Sequence, residues 1–202
     1  MIMARQARIL SLTIPFAALL ALSGCISFGA KPPPTLLTLF PAAAMPAGES
    51  RTAVAGQAVT ILTPRVPAAL ANNRIPVRSD DTSIAYVKDA QWADSPNRLF
   101  RALLADVVTA RTGRMVLDNR QFSFDPGTTI SGELRNFTID AASMQAVVTY
   151  DAARATDGGA KIEERRFEAR APVSSIEPGP AAVALNTAAN QVADQVAAWI
   201  GN

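Results

Sequence analysis

The chain has 202 residues, 49% of them apolar and only 6% aromatic, with 19 basic and 17 acidic side chains and no histidine. The absence of histidine excludes Ser-His-Asp and Cys-His catalysis, and with a single cysteine it leaves no ligand set for a His/Cys zinc site. Neither a metal nor a cofactor is expected.

The amino terminus has the layout of a secretory signal. Arg5 and Arg8 precede an apolar run from Ile9 to Leu22, followed by small residues, which is the order of n-region, h-region and cleavage site. The run is about 14 residues, or roughly 21 Å as a helix at ~1.5 Å per residue. A bilayer core needs about 20 residues, so this run is too short to span, and Pro15 weakens it further. It ends in Leu22-Ser23-Gly24-Cys25, which resembles the bacterial lipobox. In such a motif the small residues admit the scissile backbone to a peptidase and the thiol receives the lipid. Cys25, the only cysteine, is therefore the expected lipid-attachment residue. One acyl chain binds only marginally, so lasting attachment needs two or three.

Cleavage before Cys25 removes 24 residues and leaves 178, a comfortable size for one domain with its own core. The 19 basic residues less Arg5 and Arg8 give 17, against 17 acidic. A neutral domain offers no electrostatic argument for nucleic acid. Residues 25–35, with the prolines at 32–34, form the lipidated cysteine and a tether that favours extended polyproline II. The folded domain is expected over 36–202.

Along that domain, Leu36–Phe40 reads as a short buried strand closed by Pro41, and residues 41–57 as a loop. Ala58–Leu62 is a second strand, and 67–72 one helical turn. Arg74–Arg78 is a short extended segment that Pro76 assigns to a sheet edge. Ser83–Val87 alternates as a strand does. A Ser95 N-cap with Pro96 at the first helical position starts a helix. Its apolar face is Leu99, Phe100, Leu103, Leu104, Val107 and Val108, and Gly113 stops it.

The period then changes to two. Met115–Leu117 is a short strand and Asp118-Asn119 a turn. Thr128–Asp140, Gln145–Ala152 and Lys161–Ala171 form a three-stranded antiparallel meander, with Asp157-Gly158-Gly159 as a tight hairpin turn. The run 161–168 carries charge on both faces, as an edge strand guarded against aggregation does. A last helix runs from about Pro180 to Ile200, with Leu185, Ala189, Val192, Val196 and Trp199 on its apolar face and Asn186, Asn190, Asp194 and Gln195 on the other. The fold class is α/β: a mixed β-sheet with an antiparallel meander and two main helices packed on it. Alanine-rich helix faces suit tight packing, which favours protein docking over a roomy lipid cavity.

The lipobox cysteine, Leu37-Thr38-Leu39 before Pro41, Ile61–Arg65, Asn73-Arg74-Ile75, Ile84-Ala85-Tyr86, Gln91-Trp92-Ala93 ahead of Pro96, and the terminal helix resemble, in order and spacing, the ABC-type transport auxiliary lipoproteins. The resemblance covers residues 22–200. It implies a nonenzymatic, lipid-anchored periplasmic subunit of an envelope lipid-transport system. Its partners would be the membrane through Cys25, a periplasmic MCE (mammalian cell entry) protein, and an ABC permease and ATPase. Ile26 stands where an aspartate typically retains lipoproteins at the inner membrane, which favours the outer membrane. A structural or assembly lipoprotein unrelated to transport is the alternative. Tyr86, Trp92 and Arg74 are candidate partner contacts, since Tyr, Trp and Arg are enriched at interface centres; the competing reading packs Trp92 over the helix start and Tyr86 in the sheet.

Overall fold

The computed structural model describes residues 35–117 and 127–201. In chain order the elements are β1 (Ala58–Ile61), β2 (Pro76–Arg78), β3 (Ile84–Tyr86), α1 (Pro96–Thr112), β4 (Val116–Leu117), β5 (Gly127–Asp140), β6 (Gln145–Thr156), β7 (Lys161–Pro172) and α2 (Pro178–Gly201). The seven strands form one mixed sheet. The α/β class and the two helices follow the expectation.

The sheet is organised around β5. Its 14 residues span about 46 Å at ~3.3 Å each, long enough to take two partners end to end on one edge. β1 pairs parallel with its first half, Ala58 opposite Gly127 and Ile61 opposite Ile130, and β2 pairs parallel with its end, Val77 opposite Ile139. β4 lies outside β1 and β3 outside β2. The other edge of β5 carries the antiparallel meander through β6 to β7. A register shift between Leu134 and Asn136 inserts Arg135 as an extra residue, so the inward positions change from Ile130 and Leu134 to Phe137 and Ile139.

β6 and β7 run to Thr156 and Pro172, longer than their alternation suggested. The turn between them is at Asp157–Gly159, where Asp157, Gly158 and Gly159 all have positive φ, as a tight reversal requires. β7 pairs only with β6, so the charged run 161–168 does lie on a sheet edge.

Both helices cover one face. α1 buries Phe100, Leu103, Leu104, Val107 and Val108, with the Phe100 ring edge-on to Tyr150 of β6 at 5.3 Å. α2 lies over β6 and β7 and against α1. Its buried alanines 181, 184, 188, 189, 193 and 197 have no side chain to hold the neighbours away. An Arg111–Asp194 ion pair at 2.8 Å ties the helices on their outer side.

Several local expectations are corrected, and the Ser95 N-cap is present with a different hydroxyl partner. Leu36–Phe40 is not a strand: it makes one isolated bridge, Leu37 to Trp92, and its backbone is then taken up by side chains. The Phe40 N–H donates to Asn186 Oδ1 at 2.8 Å and the Ala42 N–H to Asn190 Oδ1 at 2.6 Å, while Asn190 Nδ2 donates back to the Phe40 carbonyl. Asn190 is accordingly buried rather than on a solvated face. β2 is an interior strand between β3 and β5; Pro76 is tolerated as its first residue, where the missing N–H interrupts little of the ladder. Ser95 occupies the N-cap, but its hydroxyl makes no cap bond and turns to Asp94, whose Oδ1 accepts the Ser95 N–H at 2.7 Å. α2 begins at Pro178, two residues before the expected start.

Candidate functional site

Cys25 lies outside the described residues. The other three candidates separate into a surface pair and a core residue. Trp92 is completely buried, edge-on to Phe137 at 5.7 Å, with its backbone N–H on the Asn73 carbonyl at 2.7 Å. Its indole N–H meets no acceptor among the described residues. A ring in that position cannot touch a partner: Trp92 is a packing residue of the core, not a contact.

Arg74 and Tyr86 come together. Asn72 Oδ1 accepts the Arg74 N–H at 2.9 Å, a local turn that directs the arginine outward. Its guanidinium lies 4.2 Å from the centre of the Tyr86 ring, within cation–π range. The Tyr86 hydroxyl donates to the Ala69 carbonyl and accepts from Asn72 Nδ2, both at 3.3 Å. Arg74 is exposed and Tyr86 half-buried, so the pair presents a preorganised aromatic–cationic surface at the outermost strand. On the neighbouring strand Arg78 donates to Asp140 at 2.6 Å. That bond, with a second from Ser143, holds the Asp140 carboxyl below the ordinary carboxylate value.

Sequence reasoning missed a groove of about 760 Å³ on the sheet face that the helices leave uncovered. Leu62, Thr63 and Arg65 form one side, the small residues Ser131, Gly132 and Ala153 line its middle, and Glu164–Arg166 of β7 form the other. Asp151 is held by Arg166, which donates through two nitrogens at 2.6 and 2.7 Å, and by Arg135 at 3.3 Å. These donors keep its carboxyl low. The sequence signal was present in the small residues of β5 and β6 opposite alternating charge in β7, but it depends on the β5–β6–β7 register. The lining charge is mixed, with Arg65, Arg135, Arg165 and Arg166 set against Glu133, Asp151 and Glu164. Among the described residues no group of His, Cys, Asp or Glu side chains could hold a metal ion, and no helix is long and apolar enough to cross a membrane.

A family model described as "ABC-type transport auxiliary lipoprotein component" matches residues 38–197, from the Asn-clamped segment to the last turns of α2. No curated protein matches the chain. Among solved structures, a Xanthomonas campestris protein of the DUF330 family superposes with a TM-score of 0.66 at 19% identity, covering 82% of this chain and 94% of its own. A second, described only as an uncharacterized protein, superposes at 0.63 with 14% identity over 73% and 94%. At those identities the superpositions speak for the fold alone.

Proposed function

The chain belongs to the ABC-type transport auxiliary lipoprotein components, and from that premise we propose that it is the lipid-anchored periplasmic subunit that docks an MCE-domain protein onto an ABC lipid transporter. The family match over residues 38–197 carries this reading. Membership implies association with an ABC transporter; the MCE partner, the anchor at Cys25 and the outer-membrane side are our extension.

Three features support the extension. The signal layout and lipobox put a single thiol where lipid is attached. Ile26 follows it rather than an inner-membrane-retaining aspartate. The domain offers preorganised surfaces in the Arg74–Tyr86 pair and the groove beside Asp151. A nonenzymatic role fits the absence of histidine.

The test is affinity purification of the full chain from its own envelope in mild detergent, with cell fractionation. Wild-type protein should fractionate with the outer membrane and bring down the MCE protein with permease and ATPase. Cys25→Ala should remain as unacylated precursor and lose that distribution. Arg74→Glu should keep the membrane distribution but recover several-fold less partner. Wild-type protein recovered without any MCE or transporter subunit would overturn the docking role.

A further inference from the structure

Eight large apolar side chains are exposed among the described residues, and four of them, Leu36, Phe40, Ile176 and Val183, belong to segments that meet at the amino-terminal end of α2. Phe40 and Val183 are 69% and 68% exposed. Their proximity follows from the hydrogen bonds. The Phe40 N–H rests on Asn186, one helical turn beyond Val183, and residues three apart on a helix are neighbours. Ile176, Pro178 and Pro180 share a shallow depression with Lys88 and Asp89. Gln91, three residues beyond Lys88, accepts the Leu37 N–H. Further along the same outward stripe of α2 stand Gln191 and Asp194, so the apolar character is confined to this end. Isolated exposed apolar residues are ordinary; a cluster of four marks an interaction surface.

We infer that this end of the domain, Leu36, Phe40, Ile176 and Val183, seats on the lipid surface that holds the anchor. The inference rests on lipidation of Cys25, as proposed above. Thr35 follows Cys25 by ten residues, which reach at most about 36 Å at 3.3–3.6 Å each. The chain enters the domain beside the patch, at Leu36. An anchored cysteine thus confines these four side chains to a shell next to the bilayer, where even a weak surface affinity acts at high effective concentration. Val183 and Phe40 enter the headgroup boundary, Lys88, exposed at the rim, meets lipid phosphate, and the polar stripe from Gln191 onward stays in water. The Asp151 groove, formed by β5, β6 and β7, remains free for protein partners.

The experiment reconstitutes the full lipidated protein, as wild type, Phe40→Trp, Val183→Trp and Ile162→Trp, into phosphatidylcholine/phosphatidylglycerol vesicles with acyl-chain-brominated phosphatidylcholine. Ile162, at the opposite end of β7 from Pro172, is the exposed apolar control. The added emission at 40 and 183 should fall roughly twofold, because apolar side chains seated ~5–10 Å into the boundary reach the brominated carbons. Emission added at 162 should be unchanged. Vesicle-bound protein whose emission at 40 and 183 is no more quenched than at 162 overturns the seating. That outcome is distinct from failure of the anchor, in which mass spectrometry shows an unmodified Cys25 and the protein does not float with vesicles. Quenching at 40 and 183 that disappears only when the MCE partner is added would still support a lipid-seated resting state.

Discussion

At Gly132 the backbone runs with φ +152, and a β-carbon built there would stand 2.0 Å from the Asp151 carbonyl oxygen on the neighbouring strand. No rotamer relieves an overlap with backbone, so Gly132→Ala must push β5 from β6 where the meander is longest and the groove has its middle. The expected cost exceeds about 2 kcal/mol, combining strain at positive φ with a broken ladder, and urea denaturation of the purified domain measures it. Gly132 was legible only as a member of an alternating segment, because the need for glycine arises from a strand paired across space. Trp92 shows the same limit from the other side. A tryptophan before a helix reads equally as interface anchor or as packing, and only the sheet beneath it, with Phe137 at 5.7 Å, decides. Arg74 and Tyr86 were legible as surface candidates but not as a stacked pair, since twelve residues separate them in sequence and the β2–β3 register joins them.

Among the elements, those whose signal is periodic and long were legible: α1 from Pro96 to its Gly113 stop, and the three meander strands. Leu36–Phe40 was not, because a short apolar run has the same period whether its backbone bonds a strand or, as here, two asparagines of α2. The charged run 161–168 read as an edge, and the structure adds what the charges do. Arg166 on β7 and Arg135 in the β5 bulge converge on Asp151 of β6, fastening three strands on the face without helices. Their hydrogen bonds, that of Arg166 first, lower the Asp151 carboxyl from its ordinary value of 3.8. A folded-state value below the unfolded one gives stability that is present above the ordinary carboxylate range and lost as pH falls through the lowered value. Asp151→Asn should therefore cost about 0.5–1 kcal/mol near pH 7, the scale of a bidentate but solvent-screened pair. The gap between variant and wild type should narrow as the pH is taken below the ordinary carboxylate value of 3.8, read as converging urea midpoints. A gap independent of pH would mean that Asp151 acts through packing instead of charge.

For the molecule as a whole, the class of fold was legible while its topology was not. The order β3-β2-β5-β1-β4, with β6 and β7 beyond β5's other edge, requires β1 and β2 to share one edge of β5 in parallel. No local pattern announces parallel pairings between residues some seventy positions apart, such as Val59 with Thr128. The same long-range pairing has a consequence for the proposed anchor. Among the described residues every member of the buried apolar cluster lies between Leu39 and Ile200, within the compact unit Pro33–Asn202. A soluble fragment beginning at Pro33 should therefore fold by itself. Its thermal midpoint should match that of the full chain extracted from its membrane in detergent to within about 2 °C, since 1 kcal/mol shifts the midpoint of a domain this size by ~2–4 °C. Calorimetry of the two forms measures this. A single cooperative transition common to both would assign stability to the mixed sheet and its two helices and leave to Cys25 only the task of location. A fragment melting many degrees lower would instead make the lipid surface part of the fold.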